Sequence, residues 1–471
     1  MIFTRSQQEQ LRQKGITETD IDEQLECFRK GYPFLHLHAA ATVENGGIIR
    51  IKESELEHYV SVFDSVSELL RIVKFVPASG AASRMFKDLF SFKEKLEKSE
   101  MPLNMLMSDK SNDSAALFFK ELKSFAFYHD LEDAMSNSGL NINLCLENND
   151  FIPVIDFLLG DQGLNYAHLP KALLKFHLYD EYLRTAIEEH LSESAQYARC
   201  ERNKAYVHFT LSPEHIAKFE QHISEVLRDY EEKYKIKYDL TFSVQMQSTN
   251  TIAVDVENKP VKEKDGSLLF RPGGHGALLK NLDNLDADMI FIKNIDNVVP
   301  DKLKGKTVLY KKVLGAYLVS LVKQRDKYLL ELEKVNDSID RLDEIVLFAK
   351  EKLNIIGIDK RSLSSQELRK LLVYKLNRPI RVCGMVKNEG EPGGGPFWVK
   401  DEKDEISLQI TESSQIDLKN PVQREIFEQS THFNPVDIVC STKDYKGNKF
   451  NLSRFVDKKT GEERPYEFDA F

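Results

Sequence analysis

A tract of small residues lies between an apolar run and an arginine in RIVKFVPASGAASRMFKDL, residues 71–89, and this arrangement suits the binding of phosphate. Ile72 to Val76 is a β-branched and aromatic run that predicts a buried strand. Pro77, Ala78, Ser79, Gly80, Ala81 and Ala82 follow, with side chains small enough for backbone N–H groups to approach an anion. Ser83, Met85, Phe86, Leu89 and Phe90 then open an apolar helical stripe. The order predicts a helix whose N-terminus adds about half a positive charge behind the loop. Arg84, in the first turn, can offer two donors to phosphate oxygens.

A loop of this kind needs a sheet edge to carry it, and the middle of the chain alternates strand and helix patterns as an α/β sheet requires. Strands are expected at 204–210 (KAYVHFT), 238–245 (YDLTFSVQ) and 289–295 (MIFIKNI), with a helix at 213–233 opened by Ser212, Pro213 and Glu214. A hairpin-like pair is expected at 251–257 and 267–270, with Asp265-Gly266 as its turn. A glycine-rich loop and a short helix at 275–284 come next. Ligands of such sheets usually sit at the carboxyl ends of the strands.

Around this middle, residues 1–70 predict a helical lead-in, with Thr17 and Thr19 as candidate N-caps and Gly31 and Pro33 as a stop. Polar segments at 108–114 and 135–150 read as loops between helices, one of them marked by Phe118, Phe119, Leu122, Phe125 and Phe127. From Thr307 a helical period runs to about Leu353, a further helix is expected at 363–375, and short strands and Gly-Pro turns follow. Three units result: 1–70, 71–325, and a C-terminal helical and α+β module at 326–471.

Composition narrows the function. Lys and Arg total 65 against 75 for Asp and Glu, a formal net charge of -10, which lacks the basic excess of a dedicated nucleic-acid binder. Cys27, Cys145, Cys200, Cys383 and Cys440 are odd in number and scattered, without a C-x-x-C pair, so they read as reduced core thiols. No apolar run is long enough to cross a bilayer, and the amino terminus has no apolar leader. The expectation is a soluble cytoplasmic protein with neither a nucleic-acid nor a membrane partner. The motif G-x-x-x-x-G-K-[ST] of P-loop kinases is absent.

Three weaker clusters admit a structural and a ligand reading. His36 and His38 alternate in FLHLHAA, as metal ligands or on a strand face packed against protein. Gly393 to Gly395, between Glu391 and Phe397 and beside Trp398, form a loop over a ligand or a hairpin connection. His432, Asn434 and Asp437 can contact a metal or sugar, or serve as turn and cap residues.

Four segments, taken in order, carry a family resemblance. VPASGAASRM (76–85) resembles the L-x-x-G-x-G-T-R-[LM] loop of GT-A-type nucleotidyltransferases, which join a sugar phosphate to a nucleotide. RPGGHGALLKNL (271–282) resembles the P-x-G-H-G loop of UDP-sugar pyrophosphorylases, FIKNIDNV (291–298) their N-x-D-N segment, and PKALLKFH (170–177) their lysine-bearing P-K-x-L-L-x-F loop. The chain as a whole also resembles a bacterial family known only as a domain of unknown function.

The resemblance spans roughly residues 70–300 and implies a GT-A-like, Rossmann-like nucleotide-diphospho-sugar transferase sheet domain. It implies that Arg84 and Lys171 are catalytic phosphate-contacting residues, with Lys175 a weaker neighbour of the second. Ser79, Gly80, Ala81, Ser83, Gln247, Gly274, His275 and Gly276 would then bind nucleotide, with Gly273 in the same loop and Gln245 on the same strand end as Gln247. Asp296 would hold Mg²⁺. Ala82 departs from the family's second loop glycine, where a methyl narrows backbone approach or bars a positive φ.

The expected activity is transfer of a nucleotidyl group, from UTP first, to a sugar phosphate with release of pyrophosphate. That reaction needs charge neutralised on both reactants held in line, and little covalent help from the protein. Two alternatives share the fold: glycosyl transfer from a nucleotide sugar, and a nucleotide-sugar sensor or scaffold without turnover.

Overall fold

The structure is a computed structural model that describes residues 3–80, 82–98, 113–180, 182–200, 203–334, 339–390, 393–457 and 460; within the helices it leaves the side chains of Ser83, Arg84, Asp113, Ile339, Asp340 and Lys360 undescribed. Its centre is a mixed sheet of seven strands. Ile72–Pro77, Lys204–Leu211, Lys237–Val244 and Met289–Lys293 run parallel, so Pro77, Leu211, Val244 and Lys293 end at one edge. Strand Asp437–Ser441 pairs antiparallel with Met289–Lys293, and Ile380–Cys383 pairs antiparallel with Asp437–Ser441. The last hundred residues thus complete the same sheet. Helix Asp301–Leu332 is continuous through position 325, the expected boundary.

One face of the sheet carries Lys74 and Lys293 on neighbouring strands, both buried, and helix Ala186–Tyr197 lies over them. Thr185 caps that helix through a reciprocal bond pair with Glu188, the S/T-x-x-E arrangement that satisfies two free N–H groups. Every residue in the helix except Gln196 is buried, including Glu188, Glu189, His190 and Glu193. Glu193 receives Lys74 at 3.0 Å, Lys293 at 2.8 Å and the Tyr197 hydroxyl at 3.2 Å. Burial drives the Lys74 ammonium down to about 7, although Glu193 pulls the other way. Burial also acts to raise the Glu193 carboxyl, but the two ammonium groups more than offset it and hold it below the usual range.

A second buried network closes the other end of the helix. Arg184 reaches Glu189 and Asp301, and its guanidinium lies 4.5 Å from the centre of the Tyr179 ring. Lys304 joins the same two carboxylates from helix Asp301–Leu332. Gly315 in that helix lets it approach helix Leu56–Ser67 closely, since a Cβ there would fall 2.5 Å from the Phe63 ring.

Between the first two central strands the chain builds a separate aromatic core from Phe92, Phe119, Phe127, Phe151 and Tyr166. Here two expectations are corrected. The apolar stripe after the small-residue loop is not one α-helix: Ala82–Phe86 is a 3-10 turn, the α-helix is Lys87–Glu97, and Met85 is 47% exposed. The segment 135–150 is not simply a loop, because Asn141 accepts from the N–H groups of Asn143 and Leu144 and caps helix Ile142–Glu147. The loop expected at 108–114 lies, up to 112, outside the described residues.

The lead-in packs onto the rest of the protein. Helices Arg5–Lys14 and Glu18–Lys30, the second capped by Thr17 and stopped at Gly31, cover the hairpin that joins Thr251–Ile252 to Phe270–Arg271. Strand His36–Ala40 pairs with Gly395–Lys400; His36 and His38 lie on its exposed face, which corrects the expectation of a face packed against protein. Gly393 and Gly395 lie against Phe433 and Phe397, where a Cβ would meet ring carbons at 2.8 Å. No helix among the described residues is long and apolar enough to cross a membrane, and the five cysteines are free.

Glu193→Ala leaves two lysines buried without a carboxylate, so urea unfolding should show a loss of about 3–5 kcal/mol. Lys74 supplies a pH signature of its own. Folded, it sheds its proton near 7, whereas unfolded it keeps it to about 10.5. The unfolded chain therefore binds more protons across that window, and the Lys74 contribution to stability rises with pH between the two values. The stability of wild type relative to Lys74→Met should climb from pH 7 to pH 10, and a flat difference would contradict the assignment.

Candidate functional site

Loops leave the shared carboxyl edge from all four parallel strands, and backbone bonds draw several of them together. Past Pro77, Ala78 donates to the Thr210 carbonyl at 3.0 Å, and the Ser212 hydroxyl donates to the Ser79 carbonyl at 3.0 Å. Ile295 donates to the Pro77 carbonyl at 3.3 Å, which extends the pairing of those two strands by one rung. Ala82 donates to the Leu169 carbonyl at 3.3 Å and ties the small-residue loop to the segment that carries Lys171. Ser79 is half-buried and Gly80 exposed at this edge.

Lys171 and Asp296, 125 residues apart, meet here. Lys171 Nζ lies 2.6 Å from Asp296 Oδ2, with the two side chains 22% and 36% exposed. Each backbone is braced. Lys171 heads a 3-10 turn whose carbonyl accepts from Leu174, and the turn after Asn294 closes on a bond from Asn297 N–H to the Asn294 carbonyl at 3.1 Å. Beneath it, the fully buried His190 donates from Nε2 to the Ile295 carbonyl at 3.1 Å, next to Asp296. Burial, and then the neighbouring Lys74, hold His190 well below its usual range, so it is a neutral donor. Lys175 takes another direction, toward Asp130 at 2.5 Å.

The glycine-rich loop stands at the same edge, over strand Lys237–Val244. Asn281, buried, donates to the Ser243 hydroxyl at 2.8 Å and the Val244 carbonyl at 2.9 Å, which pins the short helix Leu279–Asp283 to the strand end. Gln245 donates to the Gly273 carbonyl at 3.1 Å and so acts as a brace for the loop. Gly273 sits against backbone, where a Cβ would fall 2.6 Å from the Thr249 carbonyl oxygen, whereas Gly274 and Gly276 face open space. His275 is 77% exposed, and its Nε2 lies 3.9 Å from Glu412 Oε1; no contact among the described residues joins it to Lys171 or Asp296. Gln247 is exposed in the turn Gln247–Thr249.

Of the expected site residues, the structure brings Lys171 and Asp296 into contact and sets Ser79 and Gly80 beside them. It places Gly274, His275, Gly276 and Gln247 on loops over the end of strand Lys237–Val244, which Ile72–Pro77 and Lys204–Leu211 separate from the strand before Asp296. Ala81 and the side chains of Ser83 and Arg84 lie outside the described residues. Ala82 is fully buried in the aromatic core with Phe86 and Leu89, so its methyl is absorbed by packing. His190, Glu193 and Asn281 support the site without having been singled out: AIEEHLSESAQY reads as an ordinary polar helix, and nothing in it marks the two buried residues.

Residues 4–462 match the family described as a domain of unknown function, DUF4301, and the chain belongs to that family. No curated protein matches it. Among solved structures it is similar to the uridine diphosphate N-acetylglucosamine pyrophosphorylase from Trypanosoma brucei, at 10% identity and a TM-score of 0.41, over 93% of this chain and 62% of that one. A putative UDP-N-acetylglucosamine pyrophosphorylase from Entamoeba histolytica shares 10% identity at a TM-score of 0.37, over 87% and 66%. A UDP-glucose phosphorylase from Trypanosoma brucei shares 12% at 0.36, over 93% and 62%. The chain spans less than two thirds of the length of each of these structures.

The two kinds of glycine in the loop predict different tolerances. Gly273→Ala should lower stability by about 1–3 kcal/mol, because backbone must move. Gly276→Ala should stay within about 0.5 kcal/mol of wild type. Thermal unfolding of the pair checks this.

Proposed function

We propose that this protein is a GT-A-type nucleotidyltransferase that joins a nucleoside triphosphate, UTP first, to a sugar phosphate. The observation that carries the reading is the pairing of Lys171 with Asp296 beside the small-residue loop, at the carboxyl ends of parallel strands. A phosphate oxygen of the acceptor attacks the α-phosphorus of the triphosphate, the bond to the bridging oxygen breaks, and pyrophosphate leaves. The protein's part is to hold two polyanions in line against their repulsion.

Each residue has a stated share in that task. Ser79 and Gly80, with Ala81, Ser83 and Arg84, take the triphosphate. Lys171 steadies the acceptor phosphate as a mobile point charge. Gly274, His275, Gly276 and Gln247 line the side where base and sugar would lie. His190 and the Ile295 rung keep Asp296 at the strand end.

Asp296 fits Mg²⁺ as a partial ligand. It is a hard oxygen donor with an exposed carboxylate, and Mg²⁺ is commonly held by one or two carboxylates plus substrate phosphates. Among the described residues no group of three or more His, Cys, Asp or Glu gathers into a cage, so substrate phosphates and water would supply the other oxygens. When bound, the ion would neutralise phosphate charge.

The test is pyrophosphate release from each nucleoside triphosphate with a panel of sugar phosphates and Mg²⁺. Lys171→Ala and Asp296→Ala should each lower kcat/KM by about 10²–10³. Release of pyrophosphate separates this reading from glycosyl transfer, and binding of intact nucleotide sugar without release would favour a sensor. Calorimetry that shows no binding of any nucleoside triphosphate with Mg²⁺, together with an Arg84→Ala variant that changes nothing, would end the proposal.

A further inference from the structure

The two groups given opposite duties, one toward phosphate and one toward a cation, are bound to each other. With Lys171 Nζ 2.6 Å from Asp296 Oδ2, the carboxylate already has a cation at contact distance. A divalent ion approaching it meets a like charge, and a phosphate approaching Lys171 finds its ammonium already partnered. Both cannot be satisfied while the pair is closed.

The bracing says which part gives way. Asp296 follows a residue held at both its N–H, by Pro77, and its carbonyl, by His190. Lys171 extends from its braced turn on a flexible stem of four carbons, and its side chain is partly open to solvent. Opening therefore costs a swing of the lysine, with no movement of the sheet edge.

We propose that the Lys171–Asp296 pair is a latch that couples phosphate binding to divalent-cation binding. A phosphate of the ligand draws the ammonium away and frees the carboxylate for the cation; reciprocally, a cation on Asp296 frees Lys171 for phosphate. The two affinities then rise together through one ion pair. The inference rests on the reading of the site given above.

The latch is tested on the full chain from both sides. Mn²⁺ binding, followed by electron paramagnetic resonance without nucleotide, should be about thirtyfold tighter in Lys171→Met than in wild type, since a unit charge about 4 Å away is worth that against a divalent ion even in water. Lys171→Arg keeps the charge and should stay near wild type. Lys171→Met combined with Asp296→Asn should lose the gain, which assigns it to Asp296. In chelator, calorimetry of metal-free glucose 1-phosphate should show tighter binding to Asp296→Asn than to wild type, and the gain should vanish when Lys171→Met is added, because it comes from the released lysine; a carboxylate that only repelled the phosphate would keep the gain without Lys171.

Mn²⁺ affinity of Lys171→Met within twofold of wild type, with metal-free glucose 1-phosphate affinity equally unmoved in Asp296→Asn, overturns the latch. If wild type meanwhile binds UTP with Mg²⁺, the nucleotidyltransferase reading survives that failure. If no variant binds UTP under any condition, both fall.

Discussion

Two neighbouring parallel strands carry lysines, Lys74 and Lys293, on the face that the protein buries. One carboxylate, Glu193, answers both. A buried charge without a partner costs far more than an apolar side chain in the same place, so the helix that brings Glu193 can sit in one position along the sheet. A shift of one residue would turn the carboxylate away and leave two ammonium groups in the core. The Lys74–Glu193–Lys293 cluster thus specifies where helix Ala186–Tyr197 lies, and His190, one turn earlier on that helix, is thereby set under the Ile295 carbonyl. The position of Asp296 descends from that chain of constraints.

Above this layer the site is assembled from loops that differ in freedom. The small-residue loop and the segment before Lys171 are sewn together by backbone bonds, while the Lys171 side chain keeps its rotamers. The glycine-rich loop is held from below by Gln245 and Asn281. Its approach from the hairpin is steadied by the lead-in, whose Gln7 and Gln10 side chains bond the Gly266 and Leu268 backbone and whose Gln24 bonds Asn250 and Ile252. Segments at both ends of the chain thereby support a site built by its middle. The strands Ile380–Cys383 and Asp437–Ser441 cover what would otherwise be an open edge beside Met289–Lys293, a liability for any sheet.

Three strands of the parallel core, Ile72–Pro77, Lys204–Leu211 and Met289–Lys293, were legible as short, mostly apolar runs, a pattern that burial on both faces imposes. Lys237–Val244 was legible instead by its alternation of polar and apolar residues, since one of its faces is exposed. Ile72–Pro77, Lys204–Leu211, Lys237–Val244 and Met289–Lys293 were each expected within two residues of where they lie. The helix Ile142–Glu147 was masked by its own cap, since an asparagine-rich segment reads as a loop whether or not Asn141 turns inward to the helix N–H groups. The 3-10 turn Ala82–Phe86 was hidden for a different reason. Its apolar residues have helical spacing, and only the pull of Leu169 on the Ala82 N–H and the burial of the Ala82 methyl show why the backbone tightens there.

What the sequence by itself determined was local: the runs that must be strands, the capped helices and the small-residue tract; Lys171 and Asp296 stood out only through the resemblance of their segments to a known family. Only the tertiary structure decided that these two side chains touch, that Lys175 turns elsewhere, that His275 stands apart toward Glu412, and that the late strands belong to the first sheet. The physical reason is range. Periodicity and capping act within a few residues, whereas an ion pair across 125 positions forms only when the sheet has closed, and the closing is governed by buried charges that look, in a string of letters, like any solvated helix face.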